Sequence, residues 1–342
     1  MSLTQGLLRV GCAVLLMLGS IGCSSSEIED LIDSSDGFDR KPIDRSVLGI
    51  NAFVNDLRFG SIRGQFEEVR NVLGIRRARV LMAWNDQIQP TPGATPNFSF
   101  YDDIISSAPA DMELLVILTD VPTWMSDRSN WVGDNPRRTF VERWVRPVLS
   151  RYSSSTKIVG WQIWNEPNNR SFRENDVIQV TDSPENYVEL LALASNVVES
   201  LTPTKLLLNG ATTAINQNFP DTLNYNRAMR DAGAREFVDR WAVHYYGKQF
   251  ENLVREGGVR DFLNGLGEQI WLTESGEQGV NNQLAYGEEV WPNLQERIPA
   301  IERIFIYQFT DSSSVDSTYG LRTLSPQFPV SDLYISLRDG AR

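Results

Sequence analysis

The chain has 342 residues, with 32 basic and 44 acidic side chains and a net charge of −12 when its one histidine is counted as neutral. The acid excess argues against a nucleic-acid partner, because a phosphate backbone requires a basic surface. A single histidine excludes a zinc or iron site built from several histidines. The two cysteines are Cys12 and Cys23, so residues 24–342 can form no disulfide, thiol nucleophile or cysteine-ligated metal site.

The first 22 residues have the pattern of a secretory signal, in which Arg9 precedes a short apolar run and small residues. The run is too short to span a membrane comfortably as a helix. Ser20–Cys23 resembles the lipobox of bacterial lipoproteins, so we expect residues 1–22 to be removed and Cys23 to carry lipid at the bacterial cell envelope. Ser24 after the cysteine favours the outer membrane in a Gram-negative cell. Ordinary secretion with cleavage nearby is the alternative.

Residues 23–45 are rich in serine, aspartate and glutamate and carry few apolar side chains. Such a segment cannot bury enough surface to fold by itself. We expect a flexible tether that holds one domain, residues 46–342, away from the membrane.

From Val47 onward, short apolar runs alternate with amphipathic stretches, a pattern typical of a parallel sheet with helical crossovers. The predicted strands are Val47–Phe53, Ala78–Ala83, Leu114–Thr119, Ile158–Trp164, Lys205–Gly210, Trp241–Tyr245, Ile270–Thr273 and Ile304–Phe309. The clearest predicted helices are Gln65–Leu73, Thr139–Tyr152, Pro184–Leu201, Leu223–Ala232 and Leu294–Ile301, with Ser331–Leu337 as a last one.

Eight strands and about eight helices over residues 46–342 predict an α/β fold, a single (β/α)8 (TIM) barrel, which needs roughly 250 residues. An open doubly wound sheet is the alternative. That fold normally carries a glycine-rich phosphate loop after its first strand. Here the first strand runs into Asn51–Asp56, which is not glycine-rich.

Two glutamates end strongly apolar strands of this predicted barrel: Glu166 follows the fourth strand and Glu274 the seventh. Barrel chemistry lies at the carboxyl ends of the strands, and strands 4 and 7 face each other across the pocket. One protonated and one ionised carboxyl are what glycoside hydrolysis requires, at a separation of roughly 5–5.5 Å in retaining enzymes. We expect the higher pKa at Glu166, because burial disfavours the charged form. The alternative is that one or both glutamates are helix caps or surface acids. That alternative suits a single glutamate at a strand end better than two that face each other.

The segments around both glutamates resemble a known group of enzymes. Trp161–Asn168 is similar to the strand-4 motif of the clan A (4/7 superfamily) retaining glycoside hydrolases, and Trp271–Gly276 is similar to their strand-7 nucleophile motif. The resemblance runs from about residue 46 to the end of the chain. Glycoside hydrolase family 39 resembles it best, through Trp164–Asn168 and the turn Val121–Met125, and family 5 follows.

The resemblance implies that Glu166 is the acid/base and Glu274 the nucleophile of a double displacement. Further residues match positions that contact the sugar or the nucleophile: Asn165 for the 2-hydroxyl, His244 and Tyr246 from strand 6, and Arg79 from strand 2. The eighth strand of such enzymes usually presents a tryptophan under the sugar. This chain has Tyr307 there, which is a smaller platform.

Several aromatic residues near the strand ends are candidate surfaces for stacking on sugar rings. They are Trp84, Trp124, Trp131 and Trp291. Packing under their own loops is the alternative. Stacking surfaces on both sides of the glutamate pair, together with short connections, predict an open groove and cleavage inside a long chain. Asp120 and Glu277 are further acids near the mouth, which either bind a cationic or hydroxyl-rich substrate or are simply solvated.

These patterns predict a retaining glycosidase that cleaves β-glycosidic bonds of a polysaccharide, with an exopolysaccharide as one candidate. We expect a monomer with a polysaccharide or oligosaccharide substrate, no metal or organic cofactor, no nucleic-acid partner, and membrane contact only through lipid on Cys23. A non-catalytic carbohydrate-binding envelope lipoprotein on the same barrel is one alternative. A structural envelope lipoprotein without a sugar site is another.

Overall fold

Eight parallel strands follow one another around a barrel in the computed structural model, which describes residues 38–341. Their order is β5-β4-β3-β2-β1-β8-β7-β6. The strands are β1 Leu48–Asn51, β2 Arg77–Ala83, β3 Glu113–Thr119, β4 Ile158–Ile163, β5 Leu206–Asn209, β6 Trp241–Tyr246, β7 Ile270–Gly276 and β8 Ile301–Ile306. The predicted (β/α)8 barrel is therefore confirmed.

Helices surround the strands. They are α1 Ile62–Asn71, α2 Ser99–Ser107, α3 Pro136–Phe140, α4 Arg146–Tyr152, α5 Arg173–Val177, α6 Pro184–Leu201, α7 Pro220–Asp231, α8 Glu251–Val254, α9 Val259–Asn264, α10 Gln283–Arg297 and α11 Asp332–Gly340. A π-helical turn, Val141–Val145, joins α3 to α4. The long helix α6 begins as its sequence predicts, because the Ser183 hydroxyl accepts a hydrogen bond from the backbone N–H of Asn186 and Pro184 occupies the first turn.

One predicted helix is wrong. The pattern predicts a helix over Leu294–Ile301, but α10 ends at Arg297 and β8 already begins at Ile301. Pro292 lies inside α10. Because proline normally interrupts a helix, the sequence gives no indication that the helix already begins at Gln283.

The seam between β5 and β6 closes the barrel partly through side chains. A single parallel bridge joins Leu208 to Arg240. Beside it, the amide of Asn209 accepts a hydrogen bond from the backbone N–H of Ala242 at 2.8 Å and donates one to the carbonyl of the same residue at 3.1 Å. A buried asparagine thus completes the ladder where the two strands pair least.

The apolar core has two layers, because alternate residues of each strand face opposite sides of the sheet. In β2, Ala78, Val80 and Met82 belong to the large cluster shared with the helices. A smaller cluster fills the barrel interior with Leu115, Leu208, Ala211, Ala242, Trp271 and Phe305. A Cβ atom on Gly49 would lie 2.5 Å from the Phe305 ring, so this close approach requires glycine. Polar side chains occupy the interior positions nearer the carboxyl ends of the strands.

The chain contacts the barrel earlier than the predicted tether boundary at residue 45. The ring of Phe38 lies edge-on to that of Phe250 at 4.6 Å, and the backbone N–H of Lys41 donates to the carbonyl of Glu288 in α10 at 2.9 Å. Ile43 packs on the large core cluster. The acidic composition of residues 23–45 as a whole conceals these few apolar contacts at its end.

Residues 1–37 lie outside the described residues, and with them the predicted signal segment 1–22, Cys23 and most of the predicted tether. Among residues 38–341, no helix is both long and apolar enough to cross a membrane.

Phe38→Ala should lower the free energy of unfolding by about 2–3 kcal/mol, because the buried ring loses its contact with Phe250 and with the guanidinium of Arg297 above it. Phe219→Ala makes the same change at a ring that is 69% exposed, and should cost less than about 0.5 kcal/mol. Chemical denaturation of both variants measures the difference. Equal stabilities would show that the segment before β1 is not part of the fold.

Candidate active site

A cavity of about 590 Å³ opens at the carboxyl ends of the strands. Its walls include six residues that the sequence predicts for the site: Arg79, Asn165, Glu166, Tyr246, Glu274 and Tyr307. Another predicted residue, His244, is completely buried.

Arg79 lies on the interior face of β2, where the alternation of the strand directs it away from the helices. Its Nη1 donates to Oε1 of Glu274 at 2.7 Å, in an ion pair whose side chains are 1% and 8% exposed. Its Nη2 donates to Oδ1 of Asn165 at 3.0 Å. Asn51 and Gln162 accept the remaining bonds at 2.8 and 2.7 Å. A buried cation needs hydrogen-bond partners. Through these bonds the guanidinium holds Asn165, after β4, and Glu274, in β7, in place.

Glu274 reaches the cavity through an irregularity in β7. Val243 of β6 pairs with Leu272, but the next residue, His244, pairs with Glu274, so β7 contains one extra residue. A bulge of this kind bends a strand and redirects its side chains. The second carboxylate oxygen of Glu274, Oε2, accepts a hydrogen bond of 2.6 Å from the hydroxyl of Tyr246. Both oxygens of this carboxyl therefore accept hydrogen bonds, one from a charged guanidinium and one from a hydroxyl.

Glu166 lies on a turn with left-handed backbone. The φ angle is +44° at Glu166 and +75° at Trp164, a conformation that costs residues other than glycine about 1–3 kcal/mol each. Asn175 holds the turn: its Oδ1 accepts from the Trp164 indole at 2.6 Å, and its Nδ2 donates to the carbonyls of Glu166 and Asn169 at 2.8 Å. The turn places the Glu166 carboxylate opposite Glu274.

His244 bridges the two glutamates. Its Nδ1 lies 3.2 Å from Oε1 of Glu166, and its Nε2 lies 3.4 Å from Oε1 of Glu274. A carboxylate oxygen of each glutamate lies within 4.8 Å of one of the other. Oxygens this close are compatible with the roughly 5–5.5 Å between the carboxyl groups of retaining glycosidases.

The pKa of Glu166 differs from the prediction. Burial, the largest single influence, raises the pKa, but the hydrogen bond and charge of His244, the hydrogen bond from Asn169 and the charge of Arg79 together bring it below its ordinary value. The sequence-based expectation of a raised pKa is therefore wrong, because it counted the apolar strand and not the imidazole behind it. A bound sugar would act in the opposite direction by removing water from the carboxyl.

Glu166, His244 and Glu274 also form a donor set of a kind that divalent metals use, since one atom of each lies within 4.8 Å of the others. The Arg79 guanidinium donates to the same Oε1 of Glu274 that faces this set. A fixed positive charge at that distance repels a second cation, so the arrangement suits proton and carbon chemistry better than metal binding.

The predicted tryptophan surfaces do not line the cavity. Trp84 and Trp291 are 0% and 1% exposed, and their indole N–H groups donate to Gln89 and to Ser275. Trp124 and Trp131 are partly buried, and their indole N–H groups donate to the backbone carbonyls of Gln89 and Met125 at 2.8 Å. The prediction of Trp84 and Trp124 as substrate-binding residues is therefore wrong. Tryptophan is large enough to fill the space between helices and barrel, and here it does so.

Smaller aromatic rings take the place of the predicted tryptophans. Tyr307 lies edge-on to Phe53 at 6.0 Å, to Tyr246 at 5.7 Å and to Tyr319 at 5.7 Å, and all four rings line the cavity. On the same cavity wall as Glu166, the ring of Phe172 is 39% exposed. These rings offer flat apolar surfaces of the kind on which sugars stack.

Sequence reasoning missed the polar residues that support the site. Asn51 at the end of β1, Gln162 within β4 and Asn175 in α5 are all at most 1% exposed and bind the residues described above. A signal existed for the first two, because a polar residue inside an apolar strand requires a buried partner. The sequence carries no such signal for Asn175, whose partners are mostly backbone groups.

Asp120 and Glu174 are further acids in the cavity wall, whereas Glu277 is not part of it. Glu174 is paired with Arg173 at 3.0 Å. Asp120 accepts only a hydrogen bond of 3.3 Å from the Thr119 hydroxyl among the described residues. Burial, and then the charge of Glu174, raise the pKa of Asp120 to about 6, against smaller opposing effects of Thr119 and Arg173.

Asp120→Asn should stabilise the protein at neutral pH and not in acid. A carboxyl whose pKa is raised on folding favours the fold while protonated; that contribution is complete below its unfolded pKa of about 4 and is lost as the pH rises through about 6. Asparagine cannot ionise, so its advantage over the wild type should appear between pH 4 and 6 and persist at pH 7. Urea unfolding across that range measures it. A constant difference between the two proteins at all pH values would contradict the raised pKa.

No family model and no curated protein matches this sequence. Solved structures do match. A family 39 glycoside hydrolase from the gut symbiont Bacteroides cellulosilyticus WH2 aligns with a TM-score of 0.62 and 16% identity, over 88% of this chain and 64% of that one. A monomeric beta-xylosidase from Caulobacter crescentus CB15 gives 0.62 and 14% identity, over 89% and 69%. A family 10 endo-beta-1,4-xylanase from Gloeophyllum trabeum gives 0.60 and 20% identity, over 86% and 96%.

At these identities the likeness shows a shared barrel fold. The chain spans about two thirds of the length of the first two proteins. Family 39, which the sequence motifs resemble most, is represented among the structural neighbours.

Proposed function

We propose that this protein is a retaining glycoside hydrolase, with Glu166 as the acid/base and Glu274 as the nucleophile. The observation that carries the proposal is the pair of facing carboxylates within 4.8 Å, each with its own set of donors. Arg79 and Tyr246 bind Glu274, which suits a group that must stay ionised and attack. His244 and Asn169 bind Glu166, the carboxyl whose proton must move.

In the first step, an oxygen of Glu274 attacks the anomeric carbon while the bond from that carbon to the glycosidic oxygen breaks. Glu166 transfers its proton to the departing oxygen, so the leaving group departs as an alcohol. The positive charge that develops on the sugar ring lies next to the Glu274 carboxylate, which stabilises it and then forms the covalent glycosyl-enzyme.

In the second step, the ionised Glu166 removes a proton from water, and the oxygen of that water attacks the anomeric carbon. The bond to Glu274 breaks and the carboxylate is regenerated. The lowered pKa of Glu166 suits this step, because a base must be free of its proton. His244, hydrogen-bonded to Glu166, is placed to stabilise the carboxylate when it is ionised.

The stereochemistry of the first-formed product tests the mechanism. Two displacements at one carbon restore its configuration, so proton NMR during the first minutes of hydrolysis should show the same anomer as the substrate. Initial formation of the opposite anomer would mean a single displacement by water and would refute the covalent role of Glu274.

We propose a β-linked polysaccharide as the substrate, an exopolysaccharide among the candidates. The neighbours named as a beta-xylosidase and an endo-beta-1,4-xylanase support β-linkage. The predicted tryptophans do not line the cavity and so do not support a long polysaccharide substrate. Support for such a substrate comes from two further cavities, each of which shares Phe53 and at least one other wall residue with the catalytic cavity. Chromatography of products from a defined oligosaccharide ladder tests this: a spread of sizes is expected, and release of monosaccharide alone would contradict it.

We also propose that Cys23 carries a lipid that anchors the enzyme to the cell envelope, on the outer membrane in a Gram-negative cell. The motif Ser20–Cys23 after an apolar run supports this. Cys23→Ala should move the protein from the membrane fraction to the soluble envelope fraction. Unchanged fractionation would contradict the anchor.

A further inference from the structure

A second cavity, of about 440 Å³, adjoins the catalytic one at the carboxyl ends of β1, β2 and β3. The two cavities share three wall residues, Phe53, Leu81 and Asp120. No glutamate of the catalytic pair borders the second cavity, so it is not needed for bond cleavage itself. A ligand bound in the first cavity could extend past Asp120 into the second one.

Two asparagines in the wall of the second cavity, Asn85 and Asn97, have amide nitrogens that can donate hydrogen bonds. The Oδ1 atoms of Asn85 and Asn97 accept from nearby backbone N–H groups and hold their own loops. Their amide nitrogens make no hydrogen bond to other residues within 38–341 and remain available as donors. The Tyr101 hydroxyl, by contrast, is committed to the carbonyl of Ala83 at 2.6 Å. The flat ring of Phe100, 37% exposed, completes the wall with an apolar surface.

Asp120 supplies the complementary acceptor. It lies between the two cavities, and its only hydrogen bond from a described residue is the 3.3 Å contact from Thr119. Its backbone is left-handed, with φ of +64°, which places an acid at a strained position at the end of β3. A carboxylate that is mostly buried and accepts one long hydrogen bond has capacity for more donors.

Other cavities lack this junction. A cavity of about 520 Å³ beside Asn168 and Asn169 shares no wall residue with the catalytic one. A cavity of about 490 Å³ shares Phe53 and Tyr307 with the catalytic one. Both of its carboxylates already have partners: Asp56 is paired with Arg58, and Asp311 accepts hydrogen bonds from Ser313, Thr318 and the backbone of Tyr319.

We propose that the cavity at the ends of β1–β3 is a second sugar subsite, in which the next unit of the bound chain donates hydroxyl hydrogen bonds to Asp120 and accepts them from Asn85 and Asn97. A neutral sugar fits because each hydroxyl both donates and accepts, so that its hydroxyls can bind Asp120 and the amides of Asn85 and Asn97 together. The proposal rests on the function proposed above and makes Asp120 a specificity-determining residue for it.

The test compares ligands of increasing length in two matched variants. Ser99→Trp places a bulky ring in the wall of the second cavity. Ser106→Trp makes the same change on an exposed part of the same helix, α2, away from the cavity. Xylo-, cello- and manno-oligosaccharides of two to five β-1,4-linked units, and their glucosamine counterpart, serve as probes. Turnover is measured in the otherwise unchanged chain, and affinity by calorimetry in the Glu274→Gln background.

We expect affinity and kcat/KM to rise about tenfold when a neutral oligosaccharide becomes long enough to fill both cavities, because two or three hydrogen bonds are gained. Ser106→Trp should keep this rise, and Ser99→Trp should reduce it to a ratio near one. Each tryptophan variant should unfold thermally near the temperature of the same chain without the tryptophan, which shows that it is folded.

Four outcomes overturn the subsite. They are no gain with length, the same loss in both tryptophan variants, a gain confined to the glucosamine series, and no binding of any probe. Turnover of short substrates without a length effect leaves the glycosidase proposal standing and refutes the subsite alone. Binding that tightens with length and depends on Ser99, without turnover, supports the subsite and refutes the catalytic role.

Discussion

Glu274→Gln is expected to reduce kcat by on the order of 10⁴- to 10⁶-fold, the loss seen when a nucleophile or its partner is removed from a hydrolase. The amide keeps the size of the carboxyl and its contact with Tyr246, but it cannot form a stable ester with the sugar. The change also leaves the buried Arg79 without its charged partner, so the free energy of unfolding should fall by about 3–5 kcal/mol.

Steady-state kinetics on an oligosaccharide and on an aryl glycoside measures this loss, and chemical denaturation measures the stability. Glu277→Gln is the matched control, because that residue follows the same strand and is not part of the cavity wall. It should retain activity within about twofold. Turnover by Glu274→Gln above about one per cent of the wild type would refute the nucleophile assignment.

Glu166→Ala should show a loss that depends on the leaving group. Positioned general acid–base catalysis contributes about 10²- to 10⁴-fold, so a natural glycosidic bond, whose alcohol leaves poorly, should lose that much in kcat/KM. An activated aryl group departs without a proton and should lose far less in the first step. The second step still lacks its base, so the glycosyl-enzyme should accumulate, and kcat and KM should fall together.

Azide distinguishes this behaviour from general damage to the site. It is an anionic nucleophile that needs no base, so it should restore turnover of the aryl glycoside in Glu166→Ala. It should not restore the retained product in Glu274→Gln, where no covalent intermediate forms. Equal losses on good and poor leaving groups, with no effect of azide, would refute the acid/base assignment.

The strands of the barrel could be predicted because buried parallel strands are continuous apolar runs, and β2 and β3 begin within one residue of the prediction. The boundaries that failed depend on tertiary contacts. Pro292 is accommodated inside α10, and the contact between Phe38 and Phe250 adds a segment that its composition assigns to the tether.

The central residues of the site could also be predicted, because carboxylates at the ends of strands 4 and 7 of a barrel must converge. Arg79 is bonded to Glu274, as the family resemblance implied. The tryptophans failed for a physical reason: position along the chain does not tell whether a ring faces the cavity or the helices. The bulge in β7 and the left-handed turn at Glu166 set the final geometry, and neither leaves a mark in hydrophobic periodicity.

His244 is the chain's one histidine, and it lies between the two glutamates, buried from solvent. Isotopic labelling of histidine therefore yields a single imidazole spectrum without overlap. Nitrogen chemical shifts distinguish the two neutral tautomers from the cation, so one resonance reports where the proton lies between Glu166 and Glu274. The protein thereby carries a built-in spectroscopic reporter, with which proton position could be followed as a glycosyl-enzyme forms and decays.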